Sequence, residues 1–117
     1  MVPTIHRLET ADGTIVAERC AVASSFLSRF RGLMGRRELP AGEGLCIQNC
    51  GSIHMFFMRF AIDVAFVNGD GRILHACHTI RPWRISRPVF GSKAALELPA
   101  GTLRNLGLDR GSVVKLV

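Results

Sequence analysis

A chain of 117 residues, 48% hydrophobic and 21% charged, has the length of one domain, and a domain this size buries roughly two-thirds of the surface its unfolded chain exposes without help from a disulfide or metal. The composition excludes a disordered tail, a collagen-like repeat and a two-domain enzyme. Fifteen Lys and Arg, thirteen of them Arg, against nine Asp and Glu give a formal charge of +6, which admits nucleic acid or an acidic partner without selecting either.

From Met1 to Arg7 the chain enters an alternating strand pattern with no apolar stretch of the kind that marks an export signal, so the expectation is a cytoplasmic protein whose four cysteines are free thiols. The longest run without a formal charge, Gly44 to Met58, contains Gln48, Asn49, Ser52 and His54. It is too short and too polar to span a bilayer, and no membrane partner is expected. No repeat, linker or low-complexity tract interrupts residues 1–117, which read as one domain.

The first unit is a hairpin, Ile5 to Thr10 and Thr14 to Val22, around Asp12-Gly13, a dipeptide suited to the positive φ angles of a tight turn. Phe26, Leu27, Phe30, Leu33 and Met34 then recur at helical spacing, with Ser24 or Ser25 to cap the start and Gly35 to end it. Short apolar runs follow at Leu45 to Gln48, Ile53 to Met58 and Ile62 to Val67. Asn68-Gly69-Asp70-Gly71 is the strongest hairpin signal and pairs Ile62 to Val67 with Arg72 to Ile80. Arg81 to Ser92 reads as a long loop containing the single tryptophan, Trp83. The tail is a strand from Ala94 to Leu98, a short helix opened by Thr102 and closed by Gly107, and a strand from Ser112 to Val117. The expected fold is α+β and mostly β. It is an antiparallel, barrel-like sheet of about seven or eight short strands with two short helices, since curling closed removes sheet edges.

An ordered set of motifs accompanies these elements: Arg31-Gly32-Leu33-Met34-Gly35-Arg36, Gly42-Glu43-Gly44-Leu45, Ser52-Ile53-His54 running to Met58-Arg59, Ile62-Asp63-Val64, Asp70-Gly71-Arg72, Arg81-Pro82-Trp83, Leu96-Glu97-Leu98-Pro99-Ala100-Gly101-Thr102 and Leu106-Gly107-Leu108. Together they resemble the bacterial and archaeal family catalogued as "domain of unknown function 192". The resemblance implies a small, mostly β domain with no assigned reaction. It departs from the family pattern at Ala61, where relatives have Pro before the Ile-Asp pair, and in lacking the export signal that many relatives carry. The cysteines coincide with no family motif.

Cys46, Cys50, His54, His75, Cys77 and His78 form a pool of metal-ligand types. Residues four apart on a strand are about 13 Å apart, however, and no Cys-x-x-Cys pair occurs, so no metal and no cofactor is expected. His75 and Cys77 share a strand face, but nothing marks a nucleophile turn or a third residue to orient the histidine.

His54 to Asp63 is the most informative stretch. Read as a strand, Ile53, Met55 and Phe57 make a core face, while His54, Phe56 and Met58 make a mixed face of the kind that walls a pocket. Asp63, one residue into an apolar strand, requires hydrogen-bond donors or an arginine such as Arg59, or else caps a turn. It joins the His54 and Met58 face only if the next strand pairs in the register that sets it opposite an even-numbered neighbour. Glu97, between Leu96 and Leu98, points away from the core, either into solvent or toward amides or an arginine. Trp83 either anchors its loop or presents a flat face.

The favoured function is a non-catalytic binding or accessory module. Its pocket lies near His54, Met58 and Asp63 with Trp83 and Glu97 at the rim, and its partner is a small molecule or a protein. A small enzyme using His54 and Asp63 as an acid–base pair is the first alternative. An arginine-dependent nucleic-acid binder, resting on Arg72, Arg81, Arg84, Arg87 and Lys93, is the second and ranks lower, because one interleaved aromatic makes a poor stacking platform.

Overall fold

The computed structural model describes residues 4–23, 33 and 35–117; the helix read over Ser24 to Met34 lies outside them, apart from Leu33. Seven strands form one sheet: β1 (Thr4–Thr10), β2 (Ile15–Ala23), β3 (Glu43–Gln48), β4 (Ile62–Val67), β5 (Ile73–Ile80), β6 (Ala94–Pro99) and β7 (Val114–Leu116), with a short helix α1 (Thr102–Asn105) between the last two. Their order is β5-β4-β6-β3-β2-β1-β7. Both hairpins form at the turns named above, β1 with β2 and β4 with β5.

One pairing departs from the antiparallel expectation, since β2 and β3 run parallel, Arg19 opposite Glu43 through Ala23 opposite Ile47. The chain between them, residues 24–42, is long enough for the crossover that a parallel pair needs. The sheet curls until its two edge strands meet. Arg72 bridges Val113, and the amides of Ile73 and Val114 donate to the carbonyls of Ser112 (2.8 Å) and Gly71 (2.9 Å). Gly71, at φ 81°, is required at this seam, because a Cβ there would collide with the Val114 carbonyl.

The curl encloses an inner core of Leu8, Cys20, Cys46, Ala65, Val67, Ile73, Leu96, Leu98 and Leu103. A second core covers the outer face of β4 and β6, where Ile62, Val64, Phe66 and Ala95 pack under Leu33, Leu39, Ile53, Met55 and Met58. With both faces covered, all six residues of β4 are buried; such a strand reads as a continuous apolar run rather than an alternating one.

Candidate functional site

Ile53 to Met58 is not a strand. It forms half of an irregular ribbon with residues 83–89, in which His54 makes a single antiparallel bridge to Ile85. The Met55 amide donates to the Arg84 carbonyl and the Trp83 amide to the Met55 carbonyl, both at 2.7 Å. Ser86 latches the centre. Its amide donates to the Ile53 carbonyl (2.9 Å) and its Oγ accepts from the Ile53 amide (2.8 Å), and Ser86 is itself buried.

The two-residue alternation expected of this segment therefore fails after Met55. Ile53 and Met55 face the outer core as read, but a turn closed by the Met58 amide on the Met55 carbonyl (3.3 Å) reverses the next two positions. Phe57, expected in the core, is 60% exposed, whereas Met58, expected on the pocket wall, is buried. Phe57 at φ 63° and Trp83 at φ 67° both adopt the left-handed region, which is costly for bulky residues. Their rings touch, with centroids 5.1 Å apart and planes tilted by 59°, and the Phe56 ring lies 6.0 Å from that of Trp83. His54 packs on Phe56 at 5.1 Å, and its Nδ1 accepts from the Phe56 amide at 3.3 Å. His54 and Trp83 are thus brought into one cluster through Phe56. The proline-flanked tryptophan was visible in sequence; the outward turn of Phe57 carries no Gly, Asn or Asp that would have announced it.

Asp63 is not part of this cluster. It pairs with Leu98 in the register of β4 and β6 and shares the inner face with Ala65 and Val67, while Met58 packs on the outer face with Ile62 and Val64. The expected shared wall of His54, Met58 and Asp63 is replaced by a division across the sheet. The donors required by the Asp63 carboxylate are backbone amides. Oδ1 accepts from Thr79 (2.8 Å), and Oδ2 accepts from Gly101 and Leu103, each at 3.0 Å. Thr79 (φ 54°) and Gly101 (φ 92°) are both left-handed, so this one fully buried side chain holds the register shift of β5 at Thr79, the turn at Gly101 and the start of α1. That is the turn-capping alternative realised across three elements.

Glu97 points away from the inner core, as read, yet it is buried rather than solvated, because that face is also covered. Its strand neighbours are Leu45 on β3 and Val64 on β4. Among the described residues no hydrogen bond or ion pair reaches its carboxyl, and burial pushes its pKa up to about 7. Burial also raises Cys20 to about 12, Cys46 to about 11, and Cys77 above its usual value, so these thiols are protonated near neutrality and poor nucleophiles. None of the five expected site residues lines the cavity of about 520 Å³ at the mouth of the curled sheet. No helix among the described residues is long and apolar enough to cross a membrane.

Comparison with known proteins agrees with the motif pattern. The family model described as "Uncharacterized ACR, COG1430", DUF192, matches residues 7–116. The UPF0127 protein of Thermococcus sibiricus is 33% identical over 110 residues, covering 87% of this chain and 68% of its own length, and two other Thermococcus relatives are spanned over 63% and 61% of theirs. The Pyrococcus furiosus UPF0127 protein is 31% identical, covering 89% of this chain and 91% of its own. A crystal structure from Sinorhizobium meliloti 1021, described provisionally as a transcription regulator, superposes with a TM-score of 0.82 at 26% identity over 99% of this chain and 96% of its own. A Novosphingobium aromaticivorans structure of unknown function gives 0.81 at 22% identity, over 97% and 84% respectively. The chain belongs to the DUF192 family.

Proposed function

We propose that this DUF192 member is a non-catalytic binding module whose recognition surface is the His54 and Trp83 ribbon, and that it takes a protein segment with an apolar anchor set among acidic residues. The observation that carries this reading is the pair of touching, solvent-facing aromatics Phe57 and Trp83, both in left-handed backbone. Strain of order 1–3 kcal/mol per residue is tolerated here to point rings outward, where they contribute little to the core.

The surroundings fit such a partner. Arg59, Arg81, Arg84 and Arg87 are exposed and make no ion pair among the described residues, and no acid occurs in sequence between Asp70 and Glu97. Ile85, 66% exposed, adds an aliphatic surface, and Phe56 and Phe57 are tilted by 37° and 59° against Trp83, which suits packing on an apolar anchor better than a ladder of stacked bases. In this reading His54 and Trp83 touch the partner and Met58 backs them from the outer core. Asp63 and Glu97 act through the sheet beneath, without contact. The acid–base alternative loses support because the Asp63 oxygens already hold three amides on the opposite face from the His54 ribbon.

Trp83 is the chain's single tryptophan, so its fluorescence reports this site directly. A peptide with phenylalanine flanked by glutamates should change that emission saturably, and Arg84→Ala with Arg87→Ala should weaken binding roughly tenfold. Tighter binding of an oligothymidylate than of the peptide would transfer the surface to nucleic acid, and no saturable response to the peptide would overturn the reading.

A further inference from the structure

The ribbon that carries the aromatic cluster has two edges, and only one of them is bonded. On the inner edge the Met55 amide donates to the Arg84 carbonyl (2.7 Å) and the Ser86 amide to the Ile53 carbonyl (2.9 Å). These two bonds flank the bridge between His54 and Ile85, which makes His54 and Ile85 a pair without mutual hydrogen bonds. In an antiparallel ladder such a residue turns its own N–H and C=O to the opposite edge. There, no hydrogen bond among the described residues engages the backbone of Ile85 or Arg87. Ile85 is 66% exposed, and Arg84 and Arg87 beside it are exposed as well.

This open edge is short and closed at both ends. The Trp83 amide turns inward to the Met55 carbonyl and the Val89 amide to the Gly51 carbonyl, both at 2.7 Å, and Pro88 has no amide to offer. Proline at an open edge keeps it from growing into a longer sheet. What remains, Arg84 to Arg87, presents backbone groups between two guanidinium side chains. From this arrangement we infer that the partner segment binds as an added β-strand, its backbone exchanging hydrogen bonds with Ile85 and its acidic side chains lying beside Arg84 and Arg87. The inference rests on the peptide reading of the aromatic surface and adds the conformation of the partner. A helical segment has already spent its backbone groups on itself and has none for this edge. In strand addition the backbone bonds supply affinity and the flanking side chains supply selection. Here the arginines select acidic neighbours and disfavour a second copy of this chain, whose own edge is equally basic.

The test uses the full chain and the peptide of phenylalanine flanked by glutamates, with affinity read from Trp83 emission and amide exchange from NMR. Binding should slow exchange of the Ile85 amide about tenfold or more. Two peptides of the same sequence, N-methylated at odd or at even amides, should separate. One should bind like the parent and the other about tenfold more weakly, because only alternate residues of an added strand direct their backbone groups at the protein. Ile85→Pro removes an amide that no bond within the described residues uses. It should weaken binding about tenfold, against about threefold for Ile85→Ala, which keeps the amide. Should Ile85→Pro fail to fold, the N-methylated pair answers the same question on the wild-type chain. Saturable emission with an unprotected Ile85 amide and equal affinities for the two N-methylated peptides would overturn strand addition while leaving the aromatic surface as a site. No saturable emission would overturn both. Protection of Ile85 that grows with protein concentration, in the absence of peptide, would give the edge to a second copy and overturn the acidic partner.

Discussion

Asp63 and Glu97 are buried carboxyl groups one register step apart on paired central strands, and the two faces of the sheet treat them in opposite ways. On the inner face three amides converge on Asp63. On the outer face Glu97 has neither a donor nor a cation among the described residues, and its pKa climbs to about 7. A buried carboxylate with a complete set of donors is a structural clamp; one without them behaves as an acid that prefers to stay neutral. The contrast locates rigidity inside the curl and electrostatic tension under the outer layer that carries the aromatic ribbon.

Removing the clamp is the largest available perturbation. Asp63→Ala leaves three amides without their acceptor, at about 1–3 kcal/mol each where they stay buried, and should cost about 4 kcal/mol in denaturant unfolding. A loss below about 1 kcal/mol would show that the three bonds do not hold the β5 irregularity and the Gly101 turn in place.

Glu97 should give the protein a pH-dependent stability of the opposite kind from an ordinary salt-bridged acid. Its folded-state pKa lies above its usual 4.5, so the folded state holds the proton more tightly than the unfolded chain does. Its contribution is complete below about pH 4.5 and is lost as pH rises through about 7, amounting to roughly 3 kcal/mol by pH 8. Unfolding at pH 5 and pH 8 should show this fall in wild type. Glu97→Gln should flatten it and be the more stable protein at pH 8. A slope that survives in Glu97→Gln would assign the effect to another group.

The exposed side of the outer layer should be nearly silent in stability. Phe57→Gly and Trp83→Gly relieve left-handed backbone while losing ring contacts, and each should shift stability by about 1 kcal/mol or less. Trp83→Gly removes the fluorescence probe, so Phe57→Gly is the variant whose weaker peptide binding can be followed by emission. A cost of about 3 kcal/mol from either substitution would make the ribbon part of the core and remove the case for a recognition surface.

Both hairpins were legible in the sequence because Asp12-Gly13 and Asn68-Gly69-Asp70-Gly71 encode positive φ locally, in residues that need no distant partner to adopt it. The strands beside them followed within a residue or two, as did the short helix after Gly101. The ordered motifs from Arg31 to Leu108 marked the family. Tertiary structure alone decided which face each carboxylate occupies. Asp63 faces inward because of the register of β4 against β6, and Glu97 is buried because segments far away in sequence, with Leu33, Leu39, Ile53 and Met58, cover the outer face. The partner that makes Ile53 to Met58 a ribbon rather than a strand is equally distant, Ser86 and Arg84, and β2 lies parallel to β3 across a connection of nineteen residues, 24–42. Alternation along a chain records that a residue is apolar or polar; which side of a sheet is covered depends on contacts between residues thirty or more positions apart, and no local pattern encodes them.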